Sequence, residues 1–268
     1  MAVASLPMYD LPELSGATDA WWQGLARAFR REGVADVPDR LDRRERSADV
    51  WTSFDLLFSQ TCGYPLTHAL AGRVELVATP CYDAEGCEGP GYCSVVIVGA
   101  DSTASAIGDL RGARCAINGL DSQSGYNVLR SLVAPVAKDG RFFGSVAITG
   151  GHRASLALVA SGEADVAAID CVTRGLLARH RPRALVGTRV LCPTASAPGL
   201  PYVTRVGAGA ELLRRLRGGL DRAFADPQLD EARGELLLAG TAVLPLAAYD
   251  CIREMENAAI AAGYPEVA

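Results

Sequence analysis

Asp121-Ser122-Gln123-Ser124-Gly125-Tyr126-Asn127 follows an apolar run, Ala113 to Ile117, that reads as a buried strand, and precedes a helix-like segment, Val128 to Ala137. A strand that ends in small hydroxyl residues and a glycine, then turns into a helix, builds a socket for an oxyanion. The first-turn backbone N–H groups point out of the helix, and its dipole favours negative charge there. Ser122 and Ser124 add hydroxyl donors, and Gly125 lets the backbone approach a ligand without a Cβ in the way. The loop carries no Lys or Arg, so a bound anion would be held by neutral donors. The same residues also suit an ordinary helix cap. Taken alone, the loop leaves both readings open.

The rest of the chain repeats this strand-then-helix grammar. Ala2–Leu6, Asp55–Ser59, Val74–Ala78, Tyr92–Val98, Ala113–Ile117, Ser145–Ile148, Ala164–Ile169, Val186–Leu191 and Tyr202–Val206 read as strands. Ala17–Glu32, with Trp21, Trp22, Leu25, Ala26 and Phe29 on one side, reads as a helix. Further helices are predicted at about 65–71, 154–161, 170–180, 210–224, 230–238 and 246–262, with Gly240-Thr241-Ala242 separating the last two. The alternation argues for an α/β protein built on parallel sheets. In such sheets ligands sit beyond the carboxyl ends of strands. Tyr9, Gln60, Tyr64 and Tyr82 follow early strands; the serine loop, His152 and Asp170 follow later ones. Tyr92 heads its own strand. His152 comes after Gly150-Gly151 at a helix start, where a protonated ring can donate to an anion. Asp170 is a helix cap or a partner for a ligand cation.

Composition bounds the alternatives. The 268 residues are 49% hydrophobic and 21% charged, with a net charge of −5. No basic patch interleaved with aromatics is present, so nucleic acid is not an expected partner. Arg40, Arg43, Arg44 and Arg46 alternate with Asp39, Asp42 and Glu45 and read as a salt-bridged surface. Apolar runs are strand-length, so no membrane insertion is expected. The opening Met1-Ala2-Val3-Ala4-Ser5-Leu6 has no basic region or long apolar core. The sequence as it stands therefore suggests the cytoplasm, or the periplasm if a cleaved signal preceded it. Eight cysteines include no CxxC pair, and no metal site is expected. A Cys81–Cys87 disulfide is open in an oxidising compartment. There is no GxSxG, HExxH, Walker loop or GxGxxG, so neither a catalytic set nor a cofactor is expected.

Several segments in order resemble the phosphate/phosphite/phosphonate substrate-binding proteins of ABC transporters, the PhnD-like family. They are Asp109-Leu110-Arg111-Gly112, Asn118 through Tyr126, Gly150-Gly151-His152 with Ser155-Leu156, and Gly162 through Asp170. The resemblance implies the type 2 periplasmic-binding-protein fold: two α/β lobes, a two-strand hinge, and a ligand cleft between them. It places lobe one at 1–98 and 195–268 and lobe two at 99–194. It further implies that Ser122, Gln123, Ser124 and helix amides hold phosphonate oxygens, with His152 and Tyr92 around them and an ABC permease as partner. Asp170 would suit an amino group of the ligand or pair with His152. The chain departs from the family's frequent Ser-Thr-Ser by having Ser-Gln-Ser. The expected function is capture of a small oxyanion, most simply a phosphonate, by lobe closure. The alternative is a cytoplasmic enzyme on the same fold, similar to the menaquinone-pathway dehydratases, acting on a small anionic metabolite through Ser124, His152 and Asp170.

Overall fold

The computed structural model describes residues 2–43 and 46–268, so Arg44 and Glu45 of the arginine-rich stretch lie outside the described residues. Thirteen strands are described. They are β1 (Val3–Ser5), β2 (Leu56–Gln60), β3 (Val74–Tyr82), β4 (Cys87–Glu88), β5 (Gly91–Tyr92), β6 (Ser94–Gly99) and β7 (Arg114–Ile117), then β8 (Ser145–Ile148), β9 (Val166–Asp170), β10 (Thr188–Pro193), β11 (Ala197–Pro198), β12 (Tyr202–Arg205) and β13 (Leu238–Ala242). The α-helices are α1 (Ser15–Arg31), α2 (Ser47–Trp51), α3 (Gly63–Thr67), α4 (Val128–Val133), α5 (His152–Ala160), α6 (Cys171–His180), α7 (Gly209–Phe224), α8 (Asp230–Glu235) and α9 (Asp250–Ala261). Among the described residues no helix is long and apolar enough to cross a membrane.

The chain forms two compact units. The first runs to Asp83 and includes Glu88–Pro90 and Pro198–Ala248. Its sheet has the order β1-β2-β12-β3-β13. β1 and β2 are parallel, whereas β12 runs antiparallel to both β2 and β3. The predicted amphipathic helix is α1, and its apolar side supplies the core. Trp22 stacks near Phe58, Phe29 packs on Phe58 at 5.2 Å between ring centroids, and Phe58 packs on Tyr202 at 4.9 Å. Burial of these rings contributes to the apolar area that offsets chain entropy here.

The second unit comprises Ala84–Cys87, Gly91–Ala197 and Tyr249–Ala268. Its sheet order is β10-β6-β9-β7-β8. β7 lies parallel to β8 and β9, while β6 lies antiparallel to β9 and β10. The core gathers Val96, Val98, Ile117, Tyr126, Leu129, Val133, Phe142 and Val166 with Ala259, Tyr264 and Val267.

Three sequence expectations change. Both five-stranded sheets are mixed, not wholly parallel. Gly240-Thr241-Ala242 does not separate helices but lies in β13, whose pairing with Pro80, Cys81 and Tyr82 of β3 supplies what local propensity lacks. The unit boundaries also move. β6 pairs residue for residue with β9, from Ser94 with Asp170 to Val98 with Val166, so the chain has entered the second unit before Ser94. Residues 249–268 belong there too. α9 buries Ile252 and Ala259, and the Ala268 carbonyl accepts from the Phe142 and Phe143 amides at 2.6 and 2.8 Å.

Candidate functional site

The predicted site residues fall into two groups, one in each unit. In the second unit, β7 ends at Ile117 and delivers Asn118 and the serine loop. The loop does not enter an α-helix directly. Residues Gln123–Asn127 form a π-helical turn that continues into α4. Asn127 N–H donates to the Ser122 carbonyl, the wide i to i+5 bond that defines the turn. Ser122 is its N-cap, with Oγ accepting from Gly125 N–H at 2.9 Å. Ser122, Ser124 and Gly125 are all buried.

β8 ends at Ile148 and delivers His152 as the first residue of α5. His152 Nε2 lies 2.8 Å from Ser124 Oγ and 3.4 Å from Asn118 Nδ2. The structure thus brings together Ser122, Ser124, Gly125 and His152. It adds Asn118, which the sequence reading did not single out although it stands at a strand's carboxyl end, the signal that picked out the others.

Burial pushes the His152 imidazole from 6.5 down to about 4, against a smaller upward pull by the Ala168 carbonyl. The ring is neutral at pH 7, so the expectation of a protonated donor is corrected: desolvation without a neighbouring carboxylate disfavours the cation. The sign of the resulting pH effect follows. The unfolded chain takes up this proton near pH 6.5 and the folded chain only near pH 4, so the folded state loses stability as pH falls between those values. For a ring that keeps some access to solvent, a loss of about 2 kcal/mol is expected. In thermal melts from pH 7 to 4.5, His152→Gln is expected to flatten this slope. Equal slopes for both proteins would contradict it.

Two further predicted residues serve structure. The Gln123 side chain was expected on the anion. Its Oε1 instead accepts from Asn127 Nδ2 at 2.7 Å, and its Nε2 meets Met255 Sδ of α9 at 3.3 Å. The neighbour one helical turn on and the covering α9 claim the amide. Asp170, buried, caps α6 by accepting from Thr173 N–H at 2.9 Å. This fits the cap reading. Tyr92 is buried in β5, and its carbonyl accepts from Ser196 Oγ.

In the first unit, Tyr9, Gln60 and Tyr82 line one small cavity of about 30 Å³ with Trp21 and Thr18. Tyr9 and Tyr82 meet edge-to-face at 5.1 Å. Gln60 Nε2 donates to the Tyr82 hydroxyl at 2.9 Å and to the Leu200 carbonyl at 3.0 Å. Thr18 Oγ1 is buried there with no hydrogen-bond partner, and the space suffices for a water. Thr18 and Trp21 escaped the sequence reading because they lie on the apolar side of α1 and read as core. Tyr64 is not among these lining residues; its ring stacks on His68 at 3.9 Å. Nearby, Arg43 bonds to Asp10 and, at 2.7 Å, to Asp19, an ion-paired surface arrangement.

Residues 52–236, more than half of the chain, match the family model described as ABC transporter, phosphonate, periplasmic substrate-binding protein. No curated protein sequence matches. Among solved structures, PhnD1 from Prochlorococcus marinus in complex with methylphosphonate superposes with a TM-score of 0.77 at 16% identity, covering 96% of this chain and 97% of that one. A binding protein component of an ABC phosphonate transporter from Pseudomonas aeruginosa gives 0.76 at 17% identity, covering 97% and 87%. XAC2383 from Xanthomonas citri bound to ATP gives 0.70 at 17% identity, covering 97% and 98%. These likenesses show the periplasmic-binding-protein fold. With the family match, they make this chain a member of the phosphonate-binding family of ABC-transporter periplasmic substrate-binding proteins, a ligand-binding family that works with a small ligand and a permease.

Proposed function

We propose that this protein captures a phosphonate and that the second unit holds its phosphorus oxygens. The observation that carries the reading is the 2.8 Å contact between Ser124 Oγ and His152 Nε2 at the mouth of a helical turn. A hydroxyl and a neutral imidazole together offer both donors and acceptors. A phosphonate at neutral pH presents oxygens and, when singly ionised, one P–OH, so it complements both. The first-turn amides of the π-turn add fixed dipoles. The absence of any Arg or Lys among these contacts favours selection by hydrogen-bond geometry over charge attraction. The same Ser–His contact is what an enzyme reading would use. Burial and the Ala168 carbonyl are the influences that set His152, and among the described residues no carboxylate is a cause of its shift, which favours binding over nucleophilic work. Delivery to an ABC permease outside the cytoplasm completes the proposal.

Isothermal titration with methylphosphonate, phosphite, phosphate and sulfate tests it. Methylphosphonate or phosphite is expected to bind more tightly than sulfate, and Ser124→Ala to weaken binding about 10- to 50-fold, the loss of one hydrogen bond to a charged group. Heat with none of the phosphorus anions, or an unchanged affinity in the variant, would overturn the assignment.

A further inference from the structure

Three of the eight cysteines converge in the second unit, and nothing in the oxyanion chemistry uses them. Cys87 Sγ lies 3.5 Å from Cys171 Sγ, in van der Waals contact. Cys93 packs beside them: its N–H donates to the Gly86 carbonyl at 3.1 Å, and its own carbonyl accepts from Cys171 N–H at 3.1 Å. Gly86 makes this convergence possible. Its φ is +95°, and a Cβ there would stand 2.8 Å from Cys93 Sγ and 3.1 Å from Cys171 Cβ. Only glycine lets the 84–87 turn close over the two sulfurs. Cys171 is fully enclosed at the start of α6, Cys93 is buried, and Cys87 is half-buried. All three are free thiols. A further tie between this turn and α6 is the exposed ion pair of Glu85 with Arg174 at 3.3 Å, worth little in water.

We infer that Cys87 and Cys171 are a reversible dithiol–disulfide pair that fastens the 84–87 turn to the start of α6. The oxidant is a small-molecule or protein disulfide. Cys87, the sulfur within reach of solvent, attacks as thiolate and displaces one thiol of that oxidant, forming a mixed disulfide. Cys171 then loses its proton and attacks the Cys87 sulfur, expelling the second thiol. Two protein thiols are oxidised, and one external disulfide is reduced to two thiols. Sharing of a proton with Cys87, together with burial, raises the Cys171 thiol above its usual range, which suits it to the resolving step and not to first attack. The Cys81–Cys87 bridge, which the sequence left open beside unpaired thiols, does not suit this arrangement. Cys81 lies in β3, paired with Gly240, whereas Cys87 directs its sulfur at Cys171.

The test uses the full chain with oxidised glutathione as oxidant. Thiol titration in denaturant is expected to fall from eight to six. A non-reducing peptide map is expected to join the peptides of Cys87 and Cys171, and dithiothreitol to restore all eight thiols. Because the bridge spans 84 residues, the oxidised protein is expected to melt about 5–10 °C higher. Cys93→Ser is expected to keep the effect and Cys87→Ser to abolish it. The peptide map of the unaltered protein reads the pairing without reference to any variant. Eight thiols after oxidation, a bridge between another pair, or an unshifted melting temperature would each refute the pairing. None of these readouts involves a phosphonate, so they stand or fall apart from the ligand assignment.

Discussion

Replacing Gly125 by alanine is expected to weaken methylphosphonate binding at least about 100-fold, near 3 kcal/mol. It is the largest functional effect predicted for a single methyl group in this chain. A Cβ at 125 would stand 1.8 Å from Asn118 Oδ1 and 2.5 Å from its Cγ. No side chain tolerates such an approach. The Asn118 amide is short, follows directly from β7, and points its Nδ2 at His152 Nε2. Swinging aside would give up that contact with the imidazole. The alternative is that the π-turn itself moves and carries Ser122 and Ser124 off their partners. Either way the hydroxyl–imidazole pair is lost, and overpacking of this kind costs about 1–3 kcal/mol of stability as well. The double variant Asn118→Ala/Gly125→Ala separates the causes. If the clash is responsible, it is expected to regain stability relative to Gly125→Ala alone, a coupling of opposite sign to simple addition. Calorimetry and thermal melts read both quantities. Wild-type affinity and melting temperature in Gly125→Ala would mean that the loop does not approach Asn118 as closely as described.

Replacing Arg130 by leucine is expected to cost about 3–5 kcal/mol and to lower the melting temperature by about 6–20 °C. Arg130 is 3% exposed on α4, yet it carries a charge. Its fork binds the Pro265 carbonyl at 2.8 Å, Asn127 Oδ1 at 2.6 Å and Glu256 at 2.9 Å, and its plane lies over the Tyr126 ring. One side chain therefore joins the π-turn to α9 and to the C-terminal segment. Leucine fills part of the volume but leaves the Asn127 and Pro265 oxygens without this donor and Glu256 without this cation, and that desolvation penalty is what makes single deletions of a buried pair costly. Asn127 would lose the bond that steadies it while its Nδ2 still donates to Gln123 and to the Ile252 carbonyl at 2.9 Å. Arg130→Lys keeps the charge but not the fork, so an intermediate loss is expected. Chemical denaturation checks the order: wild type, then lysine, then leucine. A leucine variant as stable as the wild type would show that the network contributes nothing net.

Much of this was legible in the chain itself. The 3.6-residue spacing of Trp21, Trp22, Leu25 and Phe29 announces α1, and the apolar runs at 55–59, 113–117 and 164–169 announce strands, because burial imposes its period on the sequence. The rule that polar groups collect after strands pointed to Ser122, Ser124 and His152, which meet in the second unit, and to Tyr9, Gln60 and Tyr82, which line one cavity in the first. It also found Gln123, Asp170 and Tyr64. The rule reports where a residue stands in the chain, not where its side chain turns. Gln123 turns to Asn127 and Met255, Asp170 to Thr173, and Tyr64 to His68. Asn127 and Met255 are four and 132 residues from Gln123, and only the first spacing is visible locally. Strand β13 was missed for the same reason, since a short run containing Gly240 gains its stability from β3, far away in sequence.

The sequence by itself determined the α/β alternation, the place of the serine loop between a strand and a helix, and the family, because these rest on local periodicity and on contiguous motifs. Tertiary structure alone decided that Ser124 meets His152 across two strand ends, that the ring is neutral, that Arg130 ties α4 to the C-terminus, and that Cys87 faces Cys171. Each of these depends on the desolvation and sub-ångström placement of groups distant in sequence, and both arise only when the sheets and helices close around them.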